Sequence, residues 1–117
     1  MSLNAFIEKV KSGENIGFEE TMAVISDNYD YQPTEFSNGL TDTVINGPGK
    51  NEGSCKIFAF ARLNGLDRQQ TLNLFGDFYR RDVLNNPNGT GHQNIRNFMR
   101  DGWAGVHFEG IALTLKQ

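Results

Sequence analysis

Long apolar runs are missing from this chain: nothing approaches the roughly 18 consecutive apolar residues that a membrane-spanning helix needs, and the mean hydropathy is −0.49. Membrane insertion is therefore not expected. Cysteine is almost absent too, with Cys55 alone among 117 residues. An internal disulfide is impossible, and a free thiol fits a reducing compartment. The two histidines, His92 and His107, show no metal-ligand spacing with Cys55 or Glu52, so neither a metal nor another cofactor is expected. Neither sign of charge dominates: 11 basic and 14 acidic residues give a net −3, which offers no bulk attraction for a nucleic-acid backbone. The first residues, Met1 to Phe6, lack a basic region followed by an apolar stretch, so Sec-type export is not expected and the cytoplasm is the default location. Repeats and low-complexity tracts are also lacking.

What is present suits a folded globule. The chain is 38% hydrophobic with nine phenylalanines, too apolar for a disordered segment, and its length is close to that of one common domain. One domain over 1–117 is the reading.

Asn-Gly pairs at 38–39, 46–47, 64–65 and 88–89 mark chain reversals, because both residue types tolerate positive φ. Between them, Leu3, Phe6, Ile7 and Val10 fall at helical spacing behind Ser2, a good N-cap, and predict a helix over 3–12. Glu19 and Glu20 suit the start of a second, with Met22, Ile25 and Tyr29 on its apolar face and an end near Asp30. Short strands are expected at 34–36 and 43–45. Ser54 is read as the cap of a helix running to Leu63. Asp67 and Gln70 form a capping-box pair for the next, which continues through Leu74, Phe75, Phe78 and Val83 to Asn85-Asn86-Pro87. A shorter helix begins at Thr90 or Gly91 and stops before Gly102. Alternation at 106–108 and at Ile111, Leu113 and Leu115 then predicts strands. The expected class is α+β, about five helices packed on a small antiparallel sheet.

The most informative local feature is the junction of Asn51-Glu52-Gly53-Ser54-Cys55-Lys56 with the apolar Ile57-Phe58-Ala59-Phe60-Ala61. A helix starting there leaves amide N–H groups unpaired and carries a positive local field. Three readings follow. Gly47 to Ser54 can form an anion-binding loop, with Lys50, Lys56 and Arg96 adding charge; it is not a Walker A motif, because its lysine precedes the last glycine. Alternatively Cys55 is a nucleophile and His92 its base, with Arg96 one turn further on. In the plainest reading Cys55 is a buried small hydrophobe and the glycines serve geometry alone. Trp103, between Gly102 and Gly105, is either a pocket wall or a packed aromatic.

Pro33-Thr34, Phe36, Asn38-Gly39 and the whole segment from Asn51 to Ala61 resemble the HopJ family of type III effector proteins. Thr71-Leu72, Phe75-Gly76, Tyr79-Arg80, Asp82-Val83-Leu84, His92, Asn94-Ile95-Arg96, Phe98-Met99 and Gly102-Trp103 extend the resemblance over almost the whole chain. It implies a group named for proteins delivered into host cells through a type III apparatus, with a host protein as partner. It supplies no chemistry. Because Arg80 belongs to that pattern, it is expected to face inward or toward a site. The candidate set is Cys55 and His92 as catalytic residues, and Asn51, Glu52, Gly53, Ser54, Lys56, Arg80, Arg96 and Trp103 around a small anionic ligand.

Overall fold

The computed structural model describes residues 2–116. Five α-helices are formed among them: α1 (Leu3–Lys11), α2 (Phe18–Asn28), α3 (Glu52–Leu63), α4 (Arg68–Asn73) and α5 (Gln93–Asp101). A π-helical segment, Phe78–Val83, lies between α4 and α5, and a 3-10 turn, Gly102–Gly105, follows α5. The strands are β1 (Tyr29–Tyr31), β2 (Phe36–Asn38), β3 (Val44–Asn46), β4 (Val106–Phe108) and β5 (Leu113–Leu115).

Helix α3 is the centre of the packing. Ile57, Phe58, Phe60 and Ala61 on it are fully buried, because this stretch is apolar on nearly every side and other elements must cover it. Phe6 of α1 meets Phe60 edge-on at 5.9 Å, and Tyr29 meets the same ring at 5.7 Å. Phe58 lies 4.9 Å from Phe98 of α5 and 5.5 Å from Phe75. A single aromatic cluster thus connects helices distant in sequence.

Two of the helix starts obey their local sequence. Ser2 Oγ accepts from the Ala5 N–H at 3.1 Å. At α4 both bonds of the capping box form: Asp67 Oδ1 accepts from Gln70 N–H at 2.8 Å, and Gln70 Oε1 accepts from Asp67 N–H at 2.9 Å.

The α+β class is as expected, but the strands form two antiparallel sheets rather than one: β1 with β5, and β3-β2-β4. Tyr29 belongs to β1 opposite Leu115, not to the second helix, which ends at Asn28. Its ring still reaches the core, so an aromatic that fits helical spacing is equally served by a strand. The predicted strand at 34–36 lies instead at 36–38, and that at 43–45 lies at 44–46. Ile111, expected to alternate inward, is 76% exposed and lies outside β5. The single long helix predicted from Asp67 to Asn85 is broken. Gly76 adopts φ +62°, and a Cβ there would stand 2.6 Å from Phe18 N, so the chain turns at the one residue able to approach α2 so closely.

Truncation should expose this hierarchy. Phe58→Ala is expected to lower the unfolding free energy by about 3–5 kcal/mol through the cavity it leaves, whereas Ile45→Ala, at a position 70% exposed, should stay within about 0.5 kcal/mol of the parent. Urea titration of both variants measures the difference.

Candidate functional site

Helices α3 and α5 begin differently from α1 and α4. Asn51 precedes α3 in the left-handed conformation, φ 51° and ψ 51°, and its side chain makes no cap. The first helical bond runs from Cys55 N–H to Asn51 O at 3.0 Å. The amides of Glu52, Gly53 and Ser54 consequently have no acceptor among the described residues. His92 stands in the same way before α5, at φ 57° and ψ 49°, again without a side-chain cap. Arg96 N–H donates to His92 O at 3.1 Å, leaving the amides of Gln93, Asn94 and Ile95 equally free.

Both starts open on one cleft of about 440 Å³. Asn51, Gly53, Ser54, His92, Gln93 and Asn94 supply its polar lining, while Val44, Phe18, Phe75, Phe78 and Ile95 supply the rest. Two positive helix ends therefore face one space. Gly53 also admits Phe18: a Cβ at that position would lie 3.0 Å from the phenylalanine Cζ.

Buried carboxamides hold the two starts together. Asn46, at the end of β3, accepts at Oδ1 from Asn51 Nδ2 at 2.6 Å and from Asn94 Nδ2 at 2.9 Å. Its own Nδ2 donates to Asn94 Oδ1 at 3.2 Å and to Phe36 O at 3.3 Å. From β2, Asn38 Nδ2 donates to the Asn94 carbonyl at 2.7 Å, and Asn97 Nδ2 returns a bond to Asn38 O at 2.9 Å. Asn38, Asn46, Asn94 and Asn97 are all buried. In sequence Asn38 and Asn46 read as turn formers and Phe75 and Phe78 as an apolar helix stripe, and nothing local marks these, Phe18 or Gln93 as site residues. Only the long-range pairing of strands with α5 reveals the network. An asparagine at the end of a predicted strand, rather than in the turn after it, is the available signal.

Of the expected site residues, Asn51, Gly53, Ser54 and His92 do meet in the cleft. Ser54 does so from the first turn of α3, because that helix begins at Glu52 and not after Ser54. The His92 ring packs 5.3 Å from Phe78, and its Nε2 lies 3.3 Å from Asp82 Oδ2. The others point elsewhere. Arg96 clasps the preceding loop, donating to Gly91 O at 2.6 Å and Asn86 O at 2.7 Å. Arg80 does face inward, but as a brace: it donates to Asn73 Oδ1 at 2.6 Å and Ile16 O at 2.7 Å. Trp103 donates to Leu66 O at 3.1 Å and packs on Phe98 at 5.0 Å. Lys56 Nζ sits 4.7 Å over the Tyr31 ring, and Glu52 lies by the same tyrosine rather than in the cleft lining.

Cys55 is only 1% exposed and does not line the cleft, so the structure does not assemble it with His92. One step along a helix rotates the side chain by about 100°, which separates inward Cys55 from Ser54 at the opening. Burial pushes the Cys55 thiol up and outweighs the opposing effect of the Tyr31 hydroxyl; Glu52 adds to the rise, while the Thr34 backbone and Lys56 moderate it. Burial also raises the Tyr31 phenol, helped by Glu52 and Cys55, although its Oη makes no hydrogen bond of ordinary geometry. Both conditions oppose a thiolate nucleophile. Alkylation of Cys55 at neutral pH should accordingly be slow in the folded protein and become fast only on denaturation. Rapid native labelling that depends on His92 would restore the thiol reading.

Comparison with known proteins agrees with this chain-wide architecture. The family model described as HopJ type III effector protein matches residues 3–113. The crystal structure of VPA0580, described as a protein of unknown function, is similar with a TM-score of 0.94 and 54% identity, covering 99% of this chain and 95% of that one. No curated protein gives a match. On the extent of the family match, the chain belongs to the HopJ type III effector protein family.

Proposed function

We propose that this protein binds a small anionic ligand, a carboxylate or a phosphate, in the cleft between the starts of α3 and α5. The support for this reading is that Gly53, Ser54, Gln93, Asn94 and Ile95, first-turn residues of two helices without side-chain caps, line one cleft while their amides have no acceptor among the described residues. A helix N-terminus favours negative charge, and two aimed at one space add their fields. Ser54 contributes a hydroxyl donor and His92 an imidazole; Asn51 has its carboxamide nitrogen engaged by Asn46 and shapes the rim. Lys56, Arg80, Arg96 and Trp103 act in this reading as supports of the surrounding fold, not as ligand contacts. No reaction is required of the site.

Delivery to a host cell through a type III system, with a host protein as target, is a separate reading that rests on the family description. It is compatible with ligand binding. Loss of secretion of a tagged copy when the type III apparatus of its native bacterium is disabled is the expected result; equal secretion, or none in either strain, contradicts it.

The ligand reading is tested by calorimetric titration with inorganic phosphate at constant ionic strength, for which saturable binding of one ion per chain is expected. Glu52 places a carboxylate in the first turn of α3 and should oppose the ligand. Glu52→Gln is expected to tighten phosphate binding about two- to fivefold, the range of a helix-end charge effect of about 0.3–1 kcal/mol. No saturable heat with phosphate or with acetate would overturn the reading.

A further inference from the structure

The Asn-Gly pairs at 38–39, 46–47, 64–65 and 88–89 carry a chemistry of their own. The glycine amide nitrogen, after hydroxide removes its proton, can attack the preceding asparagine Cγ and expel ammonia. Glycine has no Cβ to obstruct that approach. The succinimide so formed takes up water and opens to aspartate or isoaspartate. The attack needs a carboxamide free to rotate and a glycine nitrogen free of its backbone partner.

Three of the pairs are held. Asn38 and Asn46 are 0% and 1% exposed, and their Nδ2 atoms, which would have to leave as ammonia, donate to Asn94 and Phe36. Gly39 N–H is also bonded to Gly105 O at 2.9 Å. Asn64 is half-buried, and its Nδ2 donates to Phe60 O at 2.9 Å and to the Tyr29 hydroxyl at 3.1 Å. Asn88 and Gly89 differ. Both are exposed, and the Asn88 carboxamide makes no hydrogen bond among the described residues. Gly89 N–H does close a turn onto Asn86 O at 3.0 Å. That carbonyl also accepts from Arg96 Nη1 at 2.7 Å, so it keeps a partner when the turn opens. Exposed turns open at little free-energy cost. Arg96 Nη2 would stand 2.9 Å from a Cβ placed on Gly89, which puts a cation beside the nitrogen that becomes anionic.

We infer that Asn88 is a site of spontaneous deamidation in the folded protein, converted to aspartate and isoaspartate while Asn38, Asn46 and Asn64 are protected. Either product places a carboxylate in the loop that leads into His92 and α5. Isoaspartate also routes the chain through the side-chain carbon and so lengthens the backbone between Asn86 and Gly91, whose carbonyls Arg96 holds. The inference is independent of the anion-binding reading.

Incubating the full chain at mildly alkaline pH, natively and in urea, and locating isoaspartate by peptide mapping tests it. Natively, Asn88 should convert at least about tenfold faster than the other three, each of which must first open hydrogen-bonded structure. In urea all four should convert at similar rates. Asn88→Gln, whose longer side chain would have to close a larger ring, should lose the native isoaspartate signal. Equal native rates at the four sites, or conversion at Asn38, Asn46 or Asn64 ahead of Asn88, would overturn the inference. So would an Asn88 that stays intact natively while the denatured chain converts, or a native signal that persists in the glutamine variant.

Discussion

The carboxamide of Asn46 is the point on which the site geometry depends. It ends β3, and its two polar atoms reach the residue before α3, the second residue of α5 and the backbone of β2. Strand pairing fixes Asn46 opposite Phe36, whose ring is packed against Phe58 at 6.1 Å. The register of a three-residue strand is thereby transmitted to two helix starts. Buried amide networks are strong where every member is satisfied, because water does not compete and each lost partner leaves a desolvated group behind. Asn38 Oδ1 is the exception, buried with no hydrogen-bond partner among the described residues.

The contrast among helix starts gives this constraint its functional sense. Ser2 and Asp67 cap α1 and α4 in the ordinary way, so the chain has the means to satisfy helix amides locally. At α3 and α5 it uses Asn51 and His92 in a left-handed conformation instead. A cap of the usual kind is worth about 1 kcal/mol, and the left-handed conformation is one that asparagine tolerates better than most non-glycine residues. Helix α2 also lacks a side-chain cap, but it starts from Gly17 in an extended conformation; only the starts of α3 and α5 combine a missing cap with a left-handed residue. The aromatic core around α3 supplies the rigidity that keeps such an arrangement in place, while Arg80 and Arg96, each bound to backbone carbonyls, fix the loops on either side.

Local signals were legible and long-range ones were not. The Ser2 cap and the Asp67–Gln70 box follow from a few neighbouring residues, and the structure contains both. Tyr29 fits the helix in sequence because period alone does not separate a helix end from a strand of three residues. Asn38 and Asn46 looked like turn residues since an Asn-Gly pair has that local meaning, yet the turn is made by the glycine and the asparagine belongs to the strand. The break at Gly76 depends on how closely Phe18 approaches, which no window of sequence contains. Cys55 lies in the first turn of α3 and His92 just before α5. Their side-chain directions depend on helix phase and on the left-handed turn at His92, and these send the thiol into the core and the imidazole toward Asp82.

Amide proton–nitrogen spectra recorded through a phosphate titration at fixed ionic strength test the convergence of the two helix ends most directly. The resonances of Gly53, Ser54, Gln93 and Asn94 should move together and fit one dissociation constant, while those of Ala5 and Gln70, at the capped starts, stay in place. Movement at only one helix start, or none at either, would contradict the shared site.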